Sequence, residues 1–157
     1  MNLTSRSGWA ARRTLLGPLV VLAAVGLSAP AHADTFVVKS TADGGTGTLR
    51  RAITQANGNA GADTIRFRIP GGGVKTIKPQ SRLPQVTDRV TVNGYSQPGA
   101  SPNTLGVSSG DDAVLLIQLN GVDAGSGAPG LNIRSDDSTI SGLAINRFEG
   151  GGAGVGE

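Results

Sequence analysis

From Asp34 onward, the apolar runs in this chain are short and are separated by clusters rich in Gly, Asn, Asp, Ser or Pro. A chain punctuated in this way folds into many short strands joined by turns. Phe36-Val37-Val38 opens the series and ends at the turn cluster Ser40–Gly47. Thr64–Ile69 alternates cleanly, which places Ile65, Phe67 and Ile69 on one face. Val74–Lys78, Arg89–Val92, Val114–Leu119, Leu131–Ile133 and Thr139–Ile145 read as further strands, and Gln97–Asn103 as a long loop. One segment breaks the pattern. Leu49, Ala52, Ile53 and Ala56 fall at i, i+3, i+4 and i+7, the stripe of an amphipathic helix. Thr48 is the expected N-cap of that helix and Gly58 its expected stop.

Composition agrees with a turn-rich, β-dominated chain. Glycine makes up 25 of the 157 residues, while aromatic residues are only 3%. A strict Gly-X-Y period is missing, which excludes collagen. With no Cys, disulfide scaffolds, thiol catalysis and Cys-ligated zinc are excluded as well.

The first 33 residues read as a secretory leader. Arg6, Arg12 and Arg13 form its positive region, Thr14–Leu27 its apolar core, and Ala31-His32-Ala33 a small-x-small cleavage motif. Cleavage is expected between Ala33 and Asp34. Pro18 and the short apolar run argue against a membrane anchor, which needs roughly 20 predominantly apolar residues. The single His of the chain is His32, so removal of the leader leaves neither His-based triads nor His-ligated metals. The leader also explains the net charge of +3: from Asp34 on, 11 basic residues face 11 acidic ones. That balance lacks the footprint of a nucleic-acid binder, and no nucleic-acid partner is expected.

On the pattern alone, two architectures stay open, an antiparallel sandwich and a solenoid of parallel strands. Strand-turn phrases recur as Val-Thr-Val-Asn-Gly at 90–94 and Ile-Gln-Leu-Asn-Gly at 117–121. Such recurrence is what stacked coils need.

The wording of three segments goes further. Gly47-Thr48-Leu49-Arg50-Arg51-Ala52-Ile53, then Gly61–Phe67, resembles the opening of secreted bacterial proteins with a CSLREA-type N-terminal region followed by right-handed parallel β-helix repeats. Leu83–Ala100 is similar to the phrase those proteins carry next, and Ser138–Asn146 to an early coil. The resemblance spans about Thr35 to Phe148. It implies an all-β fold: a right-handed parallel β-helix of few coils, with an N-terminal capping α-helix and a preceding signal-peptide helix. The corresponding domains are the leader at 1–33, the strand and capping helix at 34–62, and the first coils at 63–157. The Gly-rich tail after Phe148 offers no cap, so the chain is expected to be the front of a longer protein or a truncated reading frame, and to self-associate through that bare end. Two departures from the family pattern are Gly47-Thr48 in place of Cys-Ser and Arg51 in place of Glu. The second leaves Thr48 with half of a capping box.

Relatives of this fold class include pectate-lyase-like enzymes that use calcium and a basic residue. Under that reading the carboxylates would be Asp111-Asp112, Asp123 and Asp136-Asp137, with Arg134 or Arg147 as base. Calcium needs six to eight converging oxygens, and adjacent Asp residues in Gly/Ser-rich loops are better read as turn formers. Glu149 and Glu157, the other conceivable acid pair, sit in the tail. Tyr95 reads as packing over its own loop rather than stacking on a sugar. Gly44-Gly45 and Gly71–Gly73 lack a phosphate-loop pattern. Lys75, Lys78, Arg82 and Arg89 form a basic run best read as a solvated face, with an acidic polysaccharide as the other candidate. The expectation is an exported, non-catalytic scaffold or binding region of a bacterial cell-surface or extracellular protein. It has no cofactor, and after leader removal its partners are polysaccharide or cell-surface components rather than a membrane. The alternative is the front of a polysaccharide lyase or glycoside hydrolase, with calcium only in that case.

Overall fold

Inward-facing apolar residues set the frame. In a strand, alternate residues face one side, and here Ile65 and Phe67, Val90 and Val92, and Ile117 and Leu119 are the buried sets. A computed structural model describes residues 32–150. The leader reading, apart from His32 and Ala33, and Glu157 lie outside the described residues.

The elements in chain order are β1 (Thr35–Val38), α1 (Leu49–Ala56), β2 (Asp63–Phe67), β3 (Lys75–Ile77), β4 (Val90–Asn93), β5 (Ile117–Asn120), β6 (Thr139–Ser141) and β7 (Leu143–Asn146), with a 3₁₀ turn at Gly94–Ser96. One sheet has four strands in the order β1-β2-β4-β6, and a second has three in the order β3-β5-β7. Every strand pair is parallel. After β2, the chain therefore visits the two sheets in turn. Register aligns the buried residues in rows: Val38 beside Phe67, Ile65 beside Val92, Ile77 beside Leu119. These rows and the stripe Leu49, Ala52, Ile53 and Ala56 of α1 form one core. Thr48 caps the helix as expected, its Oγ1 accepting from Arg51 N at 3.3 Å, whereas the C-cap is Asn57 rather than Gly58.

The structure corrects the expected fold class. Instead of an all-β, right-handed parallel β-helix, the described residues form a mixed arrangement of two separate parallel sheets and one short α-helix that contributes to the shared core. The strands are few and only three to five residues long. The physical reason lies in the turn residues, which stop each strand before a continuous wall can form. Leu131–Ile133, expected as a strand, supplies only the isolated bridge of Ile133 to Val86. Val114 bridges antiparallel to Ser101 and leaves β5 to start at Ile117. Thr139–Ile145 divides at Gly142, whose φ of +69° ends β6 and redirects the chain into the other sheet. A Cβ on Gly94 would strike the Gly142 carbonyl. The two glycines thus let the 3₁₀ turn and the β6–β7 corner cross in contact.

β2 outlasts its neighbour. β4 ends at Asn93, opposite Arg66, and side chains take over the ladder. Ser96 Oγ accepts from Phe67 N at 2.7 Å while donating to Asn93 O at 2.6 Å. The Gln97 amide, buried, accepts from Ile69 N and donates to Ile69 O, both at 2.8 Å. Its two bonds replace those of a strand neighbour.

Candidate functional site

The residues first weighed for chemistry do not converge. Asp111 Oδ1 accepts from Ala113 N at 2.8 Å, and Asp112 accepts from Thr104 N and Oγ1, both at 2.6 Å. These bonds tie the 101–114 loop, as turn-forming carboxylates do. Hydrogen bonding from the Thr104 hydroxyl, then from the Thr104 amide, holds the Asp112 carboxyl below its ordinary value. Asp123, Asp136, Asp137, Arg134, Arg147 and Glu149 are all exposed. Asp137 and Arg147 have φ of 56°, the left-handed conformation of tight corners. Among the described residues, no three His, Cys, Asp or Glu side chains are grouped to hold a metal ion. Tyr95 is half-buried, and its ring lies against Gly142 rather than standing free.

The basic run from 75 to 89 is also dispersed. Lys75 is buried and donates from Nζ to Gly72 O at 2.7 Å. Arg82 donates to Gly127 O. A different set comes together instead. Arg66 and Arg68 are two residues apart at the exposed positions of β2 and its extension, so they share the outer side of the sheet. β1 lies parallel to β2 with Val37 beside Arg66, which brings Lys39 alongside. Lys39, Arg66 and Arg68 line a cleft of about 310 Å³ with Val37, Phe67 and Ser96. Lys39 also borders a neighbouring depression of about 490 Å³ that runs past Ser40, Thr41, Pro70 and Thr76. Neither lining contains a carboxylate. Among the described residues, no acid forms a salt bridge with any of the three cations; Asp43 pairs with Arg50 instead, at 2.7 Å.

Arg50 is a structural clamp that the sequence reading did not single out. Besides Asp43 it donates to the carbonyls of Ser81 and Arg82 at 2.9 and 2.8 Å, tying the first turn cluster and α1 to the 81–82 loop. The cationic cleft was partly visible in the alternation Arg66-Phe67-Arg68. The third cation depends on register between distant segments, which no local pattern reveals.

Searches against family models, curated proteins and solved structures found no match. No family is shown.

Proposed function

We propose that this chain is an exported scaffold or binding region of an extracellular or cell-surface protein, with no catalysis of its own, and that its cleft on the outer side of β1 and β2 takes an acidic polysaccharide. The observation that carries this reading is the cleft's charge. Three cations, Lys39, Arg66 and Arg68, line a groove that holds no carboxylate, on a chain whose charge from Asp34 onward sums to zero. Attraction is therefore local to the groove and does not come from a general positive surface. Guanidinium groups match carboxylates in bidentate geometry, and a flexible polymer can engage several such points along the groove.

The test is binding of polygalacturonate or alginate to the exported protein, followed by calorimetry at low and physiological salt. Arg66→Gln with Arg68→Gln is expected to weaken binding at least tenfold and to flatten its salt dependence. Unchanged binding in the double variant refutes the site. Ultraviolet absorbance from unsaturated products, with calcium present, would replace the scaffold reading with that of a lyase. Self-association belongs to the same proposal: β6 and β7 are edge strands, and Ile140 and Leu143 within them, with Phe148 just after β7, are only partly buried. Sedimentation showing a monomer at high concentration would count against it.

A further inference from the structure

Asp63 is a buried ionisable residue that the binding reading leaves unexplained. It opens β2 at an inward-facing position beside Val90 and is 1% exposed. Its Oδ1 accepts from Asp34 N and from Asn59 Nδ2, both at 2.8 Å. Its Oδ2 is buried and, among the described residues, has no hydrogen-bond partner. A buried carboxylate with one oxygen unpartnered and no cation is costly. The backbone nitrogen bonded to it belongs to the residue directly after the expected cleavage site.

We propose that Asp63 is a receptor for the amino terminus created by leader removal. The inference rests on the export reading, specifically on hydrolysis between Ala33 and Asp34. In that step water is the co-reactant. Its hydroxyl goes to the Ala33 carbonyl carbon, the amide C–N bond breaks, and its remaining proton goes to the departing nitrogen; the new Ala33 carboxyl then releases its proton to solvent, and the amine takes up a second one. An α-amine is largely protonated near neutral pH, with an ordinary pKa of about 7.7–8.0. The Asp34 nitrogen changes from a neutral amide with one hydrogen into an ammonium with three. In the folded chain that nitrogen lies at hydrogen-bond distance from a buried carboxylate that has an unpartnered oxygen.

The surroundings suit this exchange. Asn59 Nδ2 holds both Asp63 Oδ1 and, at 2.8 Å, the carbonyl of His32. Gly61, with φ of +145°, lies so close to His32 that a Cβ there would strike its carbonyl. Asn59 and Gly61 thus seat residue 32 of the uncut chain, a contact that leader removal vacates, while Asp63 keeps its bond to residue 34. Asp34 O accepts from Thr64 N at 2.8 Å, extending the β1–β2 pairing to residue 34. The new terminus is held in place by the sheet, and its charge is directed to Asp63.

The experiment uses the exported chain. Its first residue is read by N-terminal sequencing and intact mass, and its thermal midpoint is measured before and after selective transamination of the α-amine to a ketone with pyridoxal phosphate. A start at Asp34 and a fall of roughly 5 °C on transamination are expected. In Asp63→Asn the same treatment should leave the midpoint unchanged. If that variant does not fold, the comparison within the unsubstituted protein decides. A start elsewhere overturns the cleavage position, and with it the receptor role. A start at Asp34 with no loss on transamination leaves export intact and overturns capture by Asp63. A loss of equal size in Asp63→Asn also overturns it.

Discussion

Replacing Gln97 by Met tests how much the sheet depends on a side chain that imitates a strand. Methionine keeps the length and most of the volume of glutamine but offers neither donor nor strong acceptor. The substitution leaves the N–H and C=O of Ile69 without their bonds, both at 2.8 Å and both buried. Each buried, unpaired backbone group costs about 1–3 kcal/mol. Partial relaxation toward water brings the pair to roughly 3 kcal/mol. Against a total stability of about 5–15 kcal/mol, that lowers the thermal midpoint by roughly 10 °C. Urea unfolding followed by circular dichroism measures the difference directly. Gln97→Glu supplies the internal control. Its ionised carboxylate can still accept from Ile69 N–H but faces the Ile69 carbonyl with like partial charge, whereas the protonated acid can donate there. Burial raises the folded-state pKa above the unfolded value of about 4.3. The variant should thus recover stability below that pH and lose it as pH rises through the folded value. A Met variant within about 1 kcal/mol of the parent, or a Glu variant whose stability does not improve in acid, refutes the reasoning.

Three further outcomes follow from local geometry. Arg51→Glu completes the capping box with Thr48 and removes a cation from the first turn of α1, so it should stabilise by about 0.5–1 kcal/mol; an equal or lower melting midpoint contradicts this. Gly94→Ala places a methyl against the backbone of Gly142, where neither partner is a flexible side chain, and should cost at least about 2 kcal/mol in chemical denaturation; a neutral variant would show that the crossing can open. The Asp112 carboxyl, held down by Thr104, should titrate below its ordinary 3.8. The order it gives the 101–114 loop is then present above 3.8 and lost as pH falls through the lower folded value, and an NMR titration of the Thr104 amide with a midpoint at or above 3.8 would be the contrary result.

Local structure was legible wherever one segment's own periodicity decides it. The stripe Leu49/Ala52/Ile53/Ala56 gives the helix, and the alternation Ile65/Phe67/Ile69 gives a strand face that is buried as expected. Strand limits were less legible, because a bridge such as Val114 to Ser101 or a corner such as Gly142 depends on what lies opposite. The fold class was misread for a related reason. Recurrent strand-turn phrases describe how ribs begin and end, but not how many residues of each become paired. The cleft shows the same division: Arg66 and Arg68 were readable on one face, while Lys39 joins them only through the β1–β2 register. Gln97 looked like ordinary loop, since nothing in Gln97-Pro98-Gly99 announces that its amide faces Ile69.

The sheet order has a consequence in time. β2 pairs with β4, β3 with β5, β4 with β6 and β5 with β7, so each of these partners is reached only after an intervening strand has been laid in the other sheet. Every pairing between the described strands is parallel, so loops of tens of residues must close before those contacts reward them, which slows acquisition of the native state. Slowness of this kind leaves a newly made polypeptide pliable, its strand edges open, until the last ribs are in place.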